Sequence, residues 1–248
     1  MNKITESQIE SHYYAVNSID EISEEVFLFL NENIRWAITE HDLNEFIKGL
    51  FYKYKLKTNY NPIVKFQSHP PFILNDSSID PKYTIIRREG LLKINIYAKK
   101  NDKSYKKNIY ANSYFNIGLG NRFPNYSILL DLIPNIQNYY KKNLLSKTKN
   151  DIFYDNEIKK LLDNFRSKYK IRFNITISNF GSEIFSLKDT KIPNTEGFII
   201  STKIQITNPN ENNKPDIKTE FNTNILFSEY ENILSSPKQE IKLLDTSR

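Results

Sequence analysis

The chain has 248 residues, 39% of them hydrophobic, no cysteine and a formal net charge of +6. That length and apolar share suit one sizeable folded core and exclude a disordered chain, and the missing thiols exclude disulfides, thiolate nucleophiles and cysteine-based zinc sites. No apolar run approaches the roughly 18 residues that a membrane helix needs, and Met1-Asn2-Lys3-Ile4-Thr5-Glu6 has no apolar stretch behind it, so neither a secretory leader nor membrane contact is expected, and the location is read as cytoplasmic.

Residues 1–19 read as an N-terminal segment, 20–235 as a single domain and 236–248 as a polar, loosely held tail. The domain opens with an apolar helix around Val26, Phe27, Leu30 and Ile34, followed by a turn in which Thr39 is a natural N-cap. Leu43, Phe46, Ile47, Leu50 and Phe51 then keep i, i+3, i+4, i+7, i+8 spacing, which predicts a second helix. Residues 92–97 and 105–110 read as the two strands of a hairpin, turned by Lys100-Asn101-Asp102-Lys103.

The same order then repeats. Leu129, Leu132, Ile133, Ile136 and Tyr140 make one helical stripe, and Ile158, Leu161, Leu162 and Phe165 make another. Ile171, Phe173, Ile175 and Ile177 alternate with polar residues as a strand does, and further strands are expected over 198–207 and 221–227, separated by the turn-rich run 208–215. Two helix-helix-strand units predict an α+β domain with internal pseudo-symmetry.

The basic balance has two readings. Lys99, Lys100, Lys103, Lys106 and Lys107 form the densest cationic cluster and invite an acidic partner. On a hairpin they also keep a strand edge soluble, and the abundance of Asn, Lys, Ile and Tyr is what an AT-biased genome produces. Both stay open. The three histidines, His12, His41 and His69, are scattered along the chain, and Gly118-x-Gly120 is too short for a phosphate loop.

Residues 34–43, Ile-Arg-Trp-Ala-Ile-Thr-Glu-His-Asp-Leu, resemble the stretch I-R-P-G-x-T-E-x-D-L of the superfamily that contains methionine aminopeptidases, Xaa-Pro peptidases and creatinase. Pro62-Ile63-Val64 is similar to its P-x-I-V strand, and residues 88–95 to x-x-G-D-L-V-x-I-D. Residues 178–185 lie where that family has H-G-I-G-x-E-x-H, and Gly197 to Lys203 resembles G-M-V-F-T-I-E. The pieces are co-linear over residues 20 to 235. The resemblance implies the pita-bread fold: pseudo-symmetric helix-helix-strand repeats around a curved, mainly antiparallel sheet, at the length of the bare catalytic domain.

Members of that family hold two divalent metals with two Asp, one His and two Glu. Those positions fall here on Asn95, Asn108, Ser178, Lys203 and Asn222. Three carboxylates have become carboxamides, which lack the anionic oxygen a hard divalent cation requires, and Lys203 places an ammonium where a cation was held. The resemblance therefore implies no metal and no cofactor. His69, Asn75, Tyr97 and Tyr110 are the expected cleft neighbours.

Relatives with degraded metal sites include the peptidase-like domain of the large FACT histone-chaperone subunit and ribosome-associated homologues of methionine aminopeptidase. The expected function is a catalytically inactive binding or scaffold module that holds a peptide, a protein or RNA. The alternative is a metal-independent enzyme, as creatinase is, with Lys203 as its candidate catalytic amine. Oligomeric state stays open, a homodimer included.

Overall fold

A computed structural model of the chain describes residues 5–68, 84–104, 106–120, 126–143, 156–169, 172–180, 184–185, 199–208, 217–227, 232–234 and 242–246. Helix α1 (Glu6–Asn33) starts at Thr5. The Thr5 hydroxyl accepts from the Gln8 backbone N–H, and the Gln8 side chain accepts from the Thr5 N–H, a reciprocal capping box. Ala15, Ile19, Ile22, Val26 and Leu30 run down one buried stripe at three- and four-residue spacing. The helix thus includes most of the residues expected as a separate N-terminal segment. Their apolar stripe is disguised in sequence because Ser11, His12 and Ser18 are buried beside it.

Helix α2 (Glu40–Lys53) begins at Thr39 with a second capping box, closed by Asp42. It buries Leu43, Ile47, Leu50 and Phe51, and Phe46 stacks on Phe29 of α1 with ring centres 4.1 Å apart. Strands β1 (Leu56–Lys57), β2 (Ile63–Ser68), β3 (Gly90–Lys100) and β4 (Ala111–Leu119) follow. Both β1 and β2 pair antiparallel with β3, at opposite ends of it, and β3 pairs antiparallel with β4. Gly90 lets β2 come this close, since a Cβ there would meet the Gln67 carbonyl oxygen at 2.3 Å.

Helices α3 (Tyr126–Asn143) and α4 (Asn156–Tyr169) open the second half. Lys168 and Tyr169 of α4 both reach Asp131 of α3, at 3.0 and 2.9 Å. Strands β5 (Arg172–Phe180), β6 (Ile184–Phe185), β7 (Ile199–Asn208), β8 (Ile217–Phe227) and β9 (Asn232–Leu234) form an antiparallel sheet in the order β6-β5-β7-β8-β9. The two halves meet where β4 lies against β8.

Alternation on the first sheet sorts its residues by face. Leu92, Ile94, Ile96 and Ala98 of β3, with Ala111, Phe115, Ile117 and Leu119 of β4, join the apolar residues of α1 and α2 in one core. The opposite face is polar, and it carries the site.

Two elements differ from expectation. The second hairpin strand is β4 at Ala111–Leu119, not 105–110. Asp102 accepts from the Ser104 N–H, and the Ser104 carbonyl accepts from the N–H groups of Lys107 and Asn108, so local turns hold residues 102–104 and 106–108 out of the ladder. The tail is also docked: strand β10 (Lys242–Leu244) pairs parallel with β4, Leu244 enters the core, and the Thr246 hydroxyl donates to the Arg88 carbonyl at 2.7 Å.

Candidate functional site

The register of β3 with β4 puts Asn95 opposite Tyr114, Tyr97 opposite Asn112 and Lys93 opposite Asn116. Cross-strand partners share a face, so these six side chains line the side turned away from the apolar core. Asn95, Asn112, Asn116 and Lys99 are all buried, Lys99 to 3% exposure. Burying an ammonium that deeply is costly without favourable contacts. One of these is the Tyr110 ring, whose centre lies 4.6 Å from Lys99 Nζ.

Tyrosines organise the same face. The Tyr97 and Tyr114 hydroxyls are 3.2 Å apart, and their rings meet edge to face. Tyr60, from the loop between β1 and β2, packs its ring against Tyr97 at 6.2 Å and against Tyr110 at 5.8 Å. Asn95 Oδ1 is buried and accepts no hydrogen bond among the described residues.

Asn108 is placed differently from the other first-half position carried over from the family pattern. It precedes β4, and its side-chain N–H donates to the Lys100 carbonyl at 3.1 Å and to Asp102 at 2.9 Å. This amide closes the loop between β3 and β4. Asn112 occupies the polar face that Asn108 does not reach. Asn112, Asn116, Tyr114, Tyr60 and Lys93 carry no signal in the motifs, and Lys99 stands out there only as a member of the basic cluster. A correct hairpin register would have found most of them, because alternation from Asn95 and Tyr97 leads straight to their partners.

In the second sheet, Lys203 of β7 stands directly opposite Asn222 of β8 on one side and Thr176 of β5 on the other. Ser178 is two residues along from Thr176, and by the same alternation Ser178, Lys203 and Asn222 fall on one face. Glu220 shares those alternating positions, opposite Gln205, and is the one carboxylate that the described residues of β5, β7 and β8 contain. His69 and Asn75 lie outside the described residues.

A dinuclear divalent centre needs several anionic oxygens or imidazoles converging on one point. Amides, phenols and ammoniums dominate the polar face of the first sheet. Among the described residues, no three His, Cys, Asp or Glu side chains come close enough to hold a metal ion. This donor set does not fit the group. What it offers instead is neutral hydrogen-bonding groups, aromatic surface and positive charge.

The buried histidine is elsewhere. His12 of α1 is fully enclosed beside Ile109 and Tyr110, and burial brings its pKa from 6.5 down to about 4, against an opposing pull from the backbone of those two residues. Its ring is a neutral packing element beneath the start of β4.

No protein-family model matches the sequence, and no curated protein matches it either. Solved structures do match, over nearly the whole chain. A dipeptidase from Pyrococcus horikoshii OT3 aligns with a TM-score of 0.69 at 14% identity, covering 97% of this chain and 63% of that one. A methionine aminopeptidase from Thermotoga maritima gives 0.60 at 12% identity, covering 96% of this chain and 100% of that one. The N-terminal domain of a FACT complex subunit from Eremothecium gossypii gives 0.59 at 14% identity, covering 94% and 58%. The chain spans about three fifths of the length of the prolidases and dipeptidases it matches. At these identities the likeness establishes the fold, which is the pita-bread fold expected from the sequence.

Proposed function

We propose that this chain is a non-catalytic binding or scaffold module on a pita-bread fold, in which the cleft that holds metal in peptidases of this shape serves recognition. The observation that carries the reading is the donor set on the polar face of β3 and β4. Asn95, Asn112 and Asn116 supply amides, Tyr97 and Tyr114 supply paired phenols, and Lys93 and Lys99 supply positive charge. Lys203 opposite Asn222 continues that character into the second sheet. Such a surface suits a ligand that brings its own carbonyls and negative charge, as a peptide does with its backbone and C-terminal carboxylate.

A FACT complex subunit has an N-terminal domain of this fold. That likeness is one of architecture, so it fixes neither the class of function nor a partner, and the reading rests on the donor set. The reading is tested by panning immobilised wild-type protein and an Asn95→Asp/Asn112→Asp double variant against a peptide library, with an assay for peptide cleavage alongside. Recovered peptides that bind the wild type without being cleaved, and lose affinity for the double variant, support it. Peptide cleavage that follows the protein through purification contradicts it.

A further inference from the structure

We propose that the groove between the C-terminal end of α2 and the loop joining β1 to β2 binds single-stranded RNA, independently of whatever the cleft holds. The groove encloses about 590 Å³, inside the range of roughly 300–1,000 Å³ of pockets that bury a small ligand and so large enough for a nucleotide. Lys48, Lys55 and Lys57 line it together with Tyr52 and Tyr60; among the described residues no carboxylate lines it, although Lys48 pairs with Glu45 at 2.8 Å. Tyr52 is 87% exposed, which leaves both sides of a large ring open to stacking. Tyr60 is 42% exposed while its ring also packs on Tyr97 and Tyr110, so one stacking surface is held rigid by the site beneath it.

Lysines interleaved with open tyrosine rings are what single-stranded nucleic acid requires: cations track the phosphates, and any base can stack on an aromatic face. An acidic peptide would use the lysines and leave the rings idle. Asn61 and Asn101, also on the groove, carry amides that both donate and accept, the complement of a 2′-hydroxyl. The positive field extends past the groove. The Lys55 carbonyl accepts from the Asn101 N–H at 2.8 Å, which brings the loop carrying Lys103, Lys106 and Lys107 alongside.

The backbone at Lys55 supplies an unusually clean test. Lys55 follows the α2 C-cap with φ +47, the left-handed conformation that glycine adopts without cost. Lys55→Gly therefore removes a groove cation while easing the fold. The experiment is fluorescence anisotropy of a labelled mixed-sequence single-stranded RNA at several salt concentrations, with a DNA of the same sequence and a polyglutamate chain as competitors. Tyr52→Ala should weaken RNA binding about tenfold, in the range of a lost base–aromatic stack. Lys55→Gly should weaken it and lower the salt slope by about 0.7, with an unchanged or higher melting temperature. Absence of RNA binding, equal affinity for DNA, competition by polyglutamate as strong as by RNA, or indifference to both substitutions would each overturn the proposal. Peptide recognition in the cleft, if it fails its own test, leaves these outcomes untouched.

Discussion

Lys203 and Asn222 stand directly opposite each other in the β7–β8 ladder. Directly opposed positions in an antiparallel ladder are near neighbours, about 5 Å apart at Cβ, so charges introduced at both would lie side by side. Replacing both with glutamate puts two carboxylates side by side, which costs stability through repulsion and creates the start of a divalent-cation site. The Lys203→Glu/Asn222→Glu variant is expected to melt lower than wild type in chelator and to recover on adding Mn²⁺, whereas the wild type does not respond. A variant indifferent to Mn²⁺ would separate these residues from the metal-holding geometry of the fold.

Glu40 anchors β2 to the first turn of α2. Its Oε1 accepts from the Phe66 N–H at 2.7 Å, its Oε2 lies 3.5 Å from Lys65 Nζ, and burial pushes its carboxyl above the usual range. Glu40→Ala deprives the part-buried Phe66 N–H of that acceptor. Hydrogen bonds to charged groups contribute about 1.5–3 kcal/mol, so urea denaturation should report a loss of that size with an unchanged m-value.

His12 gives the protein a specific acid sensitivity. Above pH 6.5 the ring is neutral in both folded and unfolded chains, and this group adds no pH dependence. Between pH 6.5 and about 4 the unfolded chain takes up a proton that the folded one refuses. Stability therefore falls as pH falls across that window, by up to about 3 kcal/mol. In His12→Phe the drop between pH 7 and pH 5, followed by denaturant titration, should be flatter than in wild type.

Leu244 tests whether the docked tail belongs to the fold. It is buried in the core at the end of β10, whose partner is the outer part of β4. Leu244→Ala should cost about 2–5 kcal/mol, as core truncations do. A loss under about 0.5 kcal/mol, the level of a surface change, would mean that β10 is dispensable.

The parts of the fold legible in sequence are those set by local rules. Thr39 with Asp42 announces the start of α2, and the apolar stripes of α2, α3 and α4 announce their helices. Long-range pairing was less legible. Tyr105, Ile109 and Tyr110 have the spacing of a strand in sequence, but the second hairpin strand lies further on, at Ala111–Leu119, because Asp102 and Ser104 cap turns ahead of it. The family pattern put Asn108 in the site, but the β3–β4 register puts Asn112 on the polar face, since register decides which side chains share a face. The polarity of the tail hides its docking, which rests on the buried Leu244 and the pairing of β10 with β4. In the second sheet, where the alternation of β5 is strict, Ser178, Lys203 and Asn222 occupy register positions on one face.

Elemental analysis of the purified chain, together with its melting temperature in excess Mn²⁺, Co²⁺ and Zn²⁺, decides between a recognition cleft and a metal centre. An ion that binds only the folded state must raise that temperature. A cleft built for recognition should give substoichiometric metal and no upward shift with any of the three ions. Stoichiometric metal accompanied by a clear rise in melting temperature would contradict it, and would place a working metal centre in the cleft.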